Sequence, residues 1–393
     1  MIDLKFPDGA SRQYADDATG RDVAASISPS LAKRAALVAL NGEQRDLDRP
    51  LGGSGDFRLI MRDDPEALET IRHDAAHVLA QAVQELVPGT QVTIGPAIED
   101  RFYYDCHREA PFSSDDFAAT EKRMAEIVDR DLKLVREVWE RDAAIALFEG
   151  KGETFKAELI RDLPGTETIT TYRTGDWVDL CRGPHFPSTK FVGKAFKLTK
   201  LAGAYWRGDH RNPQLQRIYA TAWASKEDLD AYLLRVEEAE KRDHRKLGRQ
   251  MELFHMQEEG RGMVFWHPKG WILWRELESY LRRRLDAAGY QEIKTPQVMD
   301  RVFWEKSGHW EKYRPNMFVC ETEEGEVLAV KPMSCPGHVQ VFNVGQRSYR
   351  ELPLRFAEYG SCHRYEPSGS LHGLIRVRAF TQDDAHIFCR EDQ

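Results

Sequence analysis

The segment HDAAH places His73 and His77 four residues apart, which is one turn of a helix. A second segment, CRGPH, places Cys181 and His185 four residues apart in a glycine- and proline-containing loop. Three imidazoles and a thiol form a four-ligand set with plausible zinc spacing. The same groups can instead form a general-base cluster that positions a water. Two exposed histidines on a helix usually do nothing, and idle exposure is the main competing account of the first pair. The second segment shifts the balance toward a shared site.

Chemistry is also concentrated in GSCHRYEPSGSLHGLIRVRAFTQDDAHIF, residues 360–388. Arg364 and Glu366 are two apart, as on one face of a strand. EPSGSLHG reads as a turn, and LIRVRAF alternates like a second strand that returns Arg376 and Phe380 alongside the first. Such a hairpin suits a nucleotide: arginine clamps phosphate, an aromatic ring stacks on a base, and glutamate accepts from an exocyclic amine. The plainer alternative is an ordinary charged hairpin. Upstream, KPMSCPGH carries Cys335 and His338 at CxxH spacing, and DDAHIF adds His386.

Positioning these groups takes several domains. At roughly 100–200 residues each, 393 residues imply two to four. A hydrophobic content of 41% and a charged content of 31% support folded cores. The net charge of −8 argues only weakly against a nucleic-acid partner, because binding depends on local patches. Six scattered cysteines suggest reduced thiols. The N-terminus has no apolar signal region, and no run of about 18 apolar residues exists. A cytoplasmic protein with no membrane partner is expected.

Residues 1–62 alternate as strands around the short helix GRDVAASI, the pattern of a ubiquitin-like β-grasp. Residues 63–224 open with the helix ETIRHDAAHVLAQAVQELV, in which Ile71, Val78, Leu79, Ala82 and Leu86 share a face. His73 and His77 fall near the opposite face, with Gln84. Strand-like QVTIG, RFYYD and KLVREVWE follow. Residues 225–243 read as a charged linker helix capped by Ser225. Residues 244–393 are richer in aromatic, glycine and proline stretches. The fold class expected is α/β and α+β multidomain, with an N-terminal β-grasp domain, an α+β editing domain, a linker helix and part of a class II synthetase antiparallel-sheet domain.

The editing and class II labels come from a resemblance. HDAAH followed by TGDWVDLCRGPH resembles the editing domain shared by threonyl- and alanyl-tRNA synthetases, in its threonyl form. The resemblance implies that His73, His77, Cys181 and His185 clear seryl-tRNA made in error, with Asp179 and Lys156 also implicated. It leaves the presence of a metal there open. Residues 360–388 resemble motif 2 of class II aminoacyl-tRNA synthetases. That implies Arg364 on the α-phosphate of ATP, Glu366 on the adenine amine, Phe380 stacked on adenine, Arg376 on the phosphates and Gln382 beside the substrates. GYQEIKTP resembles motif 1, which implies a homodimer.

The family also implies a zinc ion held by Cys335 and His386, leaving His338 out, with a third protein ligand beyond residue 393. Mg2+ would accompany ATP. Asp384 and Met333 would line the threonine pocket, and His309 in SGHW would lie near the tRNA terminus. The family usually has asparagine where this chain has Ser334. Valine lacks the hydroxyl of threonine, so a site built to bind that hydroxyl rejects it strongly. Serine lacks only a methyl group, which is worth about 1–3 kcal/mol, so a second hydrolytic site is needed.

The implied function is threonine–tRNA ligation with editing, with tRNA(Thr), ATP and L-threonine as partners. The motif 3 arginine and the anticodon-binding domain would lie past residue 393, so the chain by itself is expected not to form threonyl-adenylate. Two alternatives stand beside this reading: a stand-alone deacylase of mischarged tRNA, and a non-enzymatic module that grips structured RNA.

Overall fold

The computed structural model describes all 393 residues, which divide into two compact units, Met1–Arg235 and Val236–Gln393. The division falls inside the helix Lys226–Lys241, within the segment expected to be a linker. Ser225 accepts from Asp228 N and caps that helix. No helix is long and apolar enough to cross a membrane.

The first unit begins with a five-stranded sheet in the order Ser11–Tyr14, Ile2–Lys5, Gly55–Met61, Ala35–Leu40, Glu43–Asp46. Its central strand Gly55–Met61 is parallel to Ile2–Lys5, so the chain must cross over between them, and the helix Gly20–Ile27 lies in that crossover. Thr19 and Asp22 form a capping box at the start of that helix. The all-apolar strand AALVAL is buried along its whole length. This is the expected β-grasp arrangement, with one more short helix, Pro29–Arg34, than the sequence pattern indicates.

Next, an antiparallel sheet of Phe196–Tyr205, Gln214–Ala222, Arg101–His107 and Gln91–Val92 packs on the helix Leu68–Leu86. A three-stranded sheet, Trp177–Leu180, Ile169–Thr174 and Leu134–Trp139, adjoins the helices Arg141–Gly150 and Thr154–Asp162. The helix Leu68–Leu86 departs from expectation. Thirteen of its nineteen residues are buried, including Asp74 and His77. Its histidine face is therefore not idle surface: His77 is buried and His73 half-buried beneath the loops and strands that cover it.

In the second unit, Leu354–His363 and Ala379–Phe388 pair antiparallel, from Leu354 opposite Phe388 to His363 opposite Ala379. Here the sequence-based register needs correction. Arg364 and Glu366 lie beyond the end of the first strand, and Arg376 precedes the second. The ladder stops at His363 opposite Ala379, and the proline-, glycine- and serine-containing run from Pro367 lies in the wide loop between the strands. The strands continue inward instead, through Gln382, Asp384 and His386.

Candidate active site: a buried histidine and cysteine cluster

In the first unit, two helices, one strand and one loop converge. His73 and His77 come from the helix Leu68–Leu86, and Lys156 from the helix Thr154–Asp162. Asp179 ends its strand, and Cys181 and His185 follow in the loop. The three imidazole rings are 4.6–5.0 Å apart centroid to centroid. Cys181 Sγ lies 3.0 Å from His73 Nε2 and 3.1 Å from His185 Nε2, and accepts from Gly183 N at 3.3 Å.

Two carboxylates hold the rings from behind. His185 Nδ1 donates to Asp74 at 2.6 Å, and Phe186 N donates to the other oxygen at 3.0 Å. Asp179 accepts from His77 Nδ1 at 2.9 Å, Lys156 Nζ at 2.6 Å and Tyr104 Oη at 2.6 Å. Lys156 is 1% exposed and Asp179 is not exposed at all. Burial on that scale costs several kcal/mol per ion unless partners of this quality offset it.

The electrostatics follow from this packing. Burial favours the neutral imidazole of His77, yet Asp179 and Cys181 more than offset it and raise its pKa to about 9. His185 is pushed well up against burial by Cys181 and Asp74. Burial favours the Cys181 thiol, but His185 and His77 outweigh it and pull the pKa well down, toward the thiolate. Burial also opposes the Asp179 carboxylate, and Lys156 and His77 reverse that and lower it. The cluster therefore balances thiolate and carboxylates against imidazolium and ammonium groups.

A stability prediction comes from His77. Its folded pKa lies above its unfolded value of 6.5, so its contribution is fully present below about pH 6.5 and is lost as pH rises through about 9. Melting of the chain should drop between pH 7 and pH 10, and His77→Gln should flatten that drop. An equal drop in both proteins would contradict the assignment.

His73, His77 and Cys181 line a cavity of about 460 Å3, walled by Ile94, Leu159, Ile169 and Leu180. All six residues expected here, His73, His77, Lys156, Asp179, Cys181 and His185, are brought together. Sequence reasoning missed Asp74, Tyr104 and Tyr172. Asp74 had a signal, since it sits between the two histidines of HDAAH. The tyrosines had none, because each reaches the cluster only through sheet register.

In the second unit, Cys335, Asp384 and His386 have donor atoms within 4.8 Å of one another. His386 Nδ1 lies 3.0 Å from His338 Nδ1, and His338 Nε2 lies 3.2 Å from Glu358. Glu358 is fully buried and also accepts from Lys331, Thr295 N and Thr295 Oγ1. His338 thus supports His386 and leaves the other His386 nitrogen free, the usual carboxylate-backed arrangement for a metal-binding imidazole. Thiol, imidazole and carboxylate together suit zinc. Ser334 is buried, its Oγ 4.0 Å from Cys362 Sγ.

Around the hairpin mouth, the Arg364 guanidinium lies 5.0 Å from the centroid of Phe380, and its Nε donates to Pro332 O. Arg376 donates to Glu366 at 2.8 Å, so these two groups hold each other. Gln382 has a buried Oε1 with no hydrogen-bond partner. His309 Nε2 lies 2.9 Å from Met333 Sδ.

Comparison with known proteins gives three family matches. The TGS domain matches residues 2–56, the threonyl and alanyl tRNA synthetase second additional domain matches 169–219, and the tRNA synthetase class II core domain (G, H, P, S and T) matches 318–393. The chain is 72% identical over 393 residues to the threonine–tRNA ligase of Phenylobacterium zucineum (strain HLK1), covering 100% of this chain and 60% of that protein. It is 71% identical over 398 residues to that of Caulobacter vibrioides (strain NA1000 / CB15N), covering 100% and 61%. The chain therefore spans about 60% of the length of these curated relatives. Among solved structures, the RNA binding domain of threonyl-tRNA synthetase from Cryptosporidium parvum Iowa II is 43% identical, with 39% of this chain and 38% of that chain covered and a TM-score of 0.38.

Proposed function

We propose that this chain, which matches threonine–tRNA ligases over its whole length, serves the threonylation of tRNA(Thr) and that its buried cluster hydrolyses seryl-tRNA(Thr). The observation carrying this is the cavity that His73, His77 and Cys181 line together, backed by carboxylates outside it. Ester hydrolysis needs an acceptor for the water proton and a donor for the developing oxyanion. Cys181, as a thiolate beside His73, is the acceptor. His77, cationic below about pH 9, is the donor. Lys156 and Asp179 hold His77 in that state.

The second unit supplies residues of the threonine-activating centre. Arg364 contacts the α-phosphate, Phe380 stacks on adenine, and Glu366 and Arg376 exchange their mutual ion pair for the adenine amine and the phosphates. Gln382 gains a partner for its orphaned oxygen. Mg2+ accompanies ATP. Cys335 and His386 would hold zinc, which when bound would supply Lewis-acid chemistry for threonine selection. Asp384 and Met333 complete that pocket, and His309 stands near the tRNA terminus. Residues 1–62, 63–224, 225–243 and 244–393 serve as β-grasp, editing, linker and catalytic segments of a cytoplasmic homodimer. The exposed Trp271, Ile272, Leu277 and Tyr280 of the helix Pro268–Ala287 support dimerisation.

A second reading has one specific observation behind it. His77 and His185 are each backed by a carboxylate and turn their other nitrogens toward Cys181, so the cluster itself could hold a metal. Cobalt(II) titration separates the two. A thiolate-to-cobalt absorption band that vanishes in Cys335→Ser and persists in Cys181→Ser supports zinc in the second unit alone. The reverse pattern places the metal in the cluster and overturns the thiolate mechanism. The hydrolytic proposal itself is tested by supplying preformed seryl-tRNA(Thr) to the chain. Binding without release of serine would leave only an RNA-gripping module.

A further inference from the structure

We infer that Asp46, at the end of a strand in the N-terminal sheet, is a positioning residue for the cluster, acting through Tyr172 and His185, 126 and 139 residues away in sequence. Both of its oxygens are committed. Oδ1 accepts from the backbone N–H of His185 at 2.8 Å, and Oδ2 accepts from the Tyr172 hydroxyl at 2.6 Å. Tyr172 in turn lies against the His185 ring, 4.0 Å between centroids, and sits opposite Asp179 in the strand pairing. One carboxylate therefore fixes His185 by its backbone and by its stacking neighbour, while Asp74 fixes its ring.

The turn between Cys181 and His185 is built around this contact. Gly183 has φ +77°, and a Cβ there would collide with the Tyr172 hydroxyl and come within 3.3 Å of Asp46 Oδ1. His185 is 1% exposed, so its N–H has no ready substitute acceptor. Burial, then Asp46, push the Tyr172 hydroxyl well up, so it remains a donor. Behind this arrangement lies a second cavity of about 810 Å3, lined by Asp46, Tyr172 and His185 together with Lys133 and Arg136.

The hydrolytic centre is thus completed by a residue outside the segment 63–224. Asp46 does not line the cavity that receives the substrate, so its loss should act on kcat and not on KM. This rests on the hydrolytic reading above, and the test is arranged to separate the two. Seryl-tRNA(Thr) hydrolysis is measured for the 393-residue chain, Asp46→Leu, Asp46→Asn and His77→Ala. Asp46→Leu is expected to lower kcat about 10–100-fold with little change in KM. Asp46→Asn, which keeps an acceptor for His185 N–H, is expected to recover most of it.

Amide exchange over residues 181–187 supplies a readout independent of activity. It should quicken in Asp46→Leu while exchange in the strand Ile2–Lys5 does not. If exchange quickens everywhere, Tyr172→Phe, which removes a single bond, takes the place of Asp46→Leu in both measurements. Unchanged kcat in an active chain overturns the inference, as does an equal loss in the leucine and asparagine variants. If the unsubstituted chain releases no serine, the hydrolytic reading falls and the exchange decides the role of Asp46 alone, with unchanged exchange overturning it.

Discussion

Lys156→Met is expected to destabilise the first unit by about 3–5 kcal/mol, the cost of leaving a buried partner charge uncompensated. Methionine fills nearly the volume of lysine, so the loss is electrostatic and not a cavity. Lys156 Nζ sits 2.6 Å from Asp179 and 5.6–5.8 Å from the ring centroids of Phe148 and Trp177. The His77 imidazolium remains 2.9 Å from Asp179, but it also faces Cys181, so the cluster is left one cation short, and Asp179 is not exposed to water. Adding Asp179→Asn removes the stranded charge and should restore more than half of the loss, because His77 and Tyr104 can still bond to the amide. Urea unfolding followed by tryptophan fluorescence measures this. A change under about 1 kcal/mol in the single variant would show that Asp179 is screened by something other than Lys156.

His77→Ala is expected to cut serine release at least about 100-fold, the usual reach of a positioned acid or base. Asp179 keeps Lys156 and Tyr104, so the fold should persist. The loss therefore falls on chemistry: the oxyanion donor is gone, and Cys181 keeps only His185 and His73 as neighbours. Single-turnover hydrolysis of seryl-tRNA(Thr) isolates the step. A rate within threefold of the unsubstituted chain would remove His77 from the mechanism.

The order of elements and the roster of the cluster were legible in the sequence, for different reasons. Helical and alternating periodicity located the β-grasp strands and the helix Leu68–Leu86, since these patterns reflect which side meets a core. Periodicity alone assigned the histidine face of that helix to solvent, because polar residues on a helix look the same whether water or other polar groups cover them. His73, His77, Cys181 and His185 were found through HDAAH and CRGPH, and Lys156 and Asp179 through the family resemblance, but their supports were not. Tyr104, Tyr172 and Asp46 reach the site through strand register and through packing between two sheets, which leave no trace in local sequence. The hairpin at 354–388 shows a related limit: alternation in LIRVRAF suggested a strand, while the actual ladder lies inward, from Ala379.

Serine and threonine esters of the same tRNA provide the most direct measurement. A cavity that clears errors must admit serine and turn away the extra methyl of threonine, worth roughly 10-fold or more in rate. The account predicts that this chain releases serine from seryl-tRNA(Thr) at least about tenfold faster than threonine from threonyl-tRNA(Thr), and that replacing His73 and His77 together abolishes the difference. Equal release of both amino acids, or a difference that survives the double replacement, would contradict it.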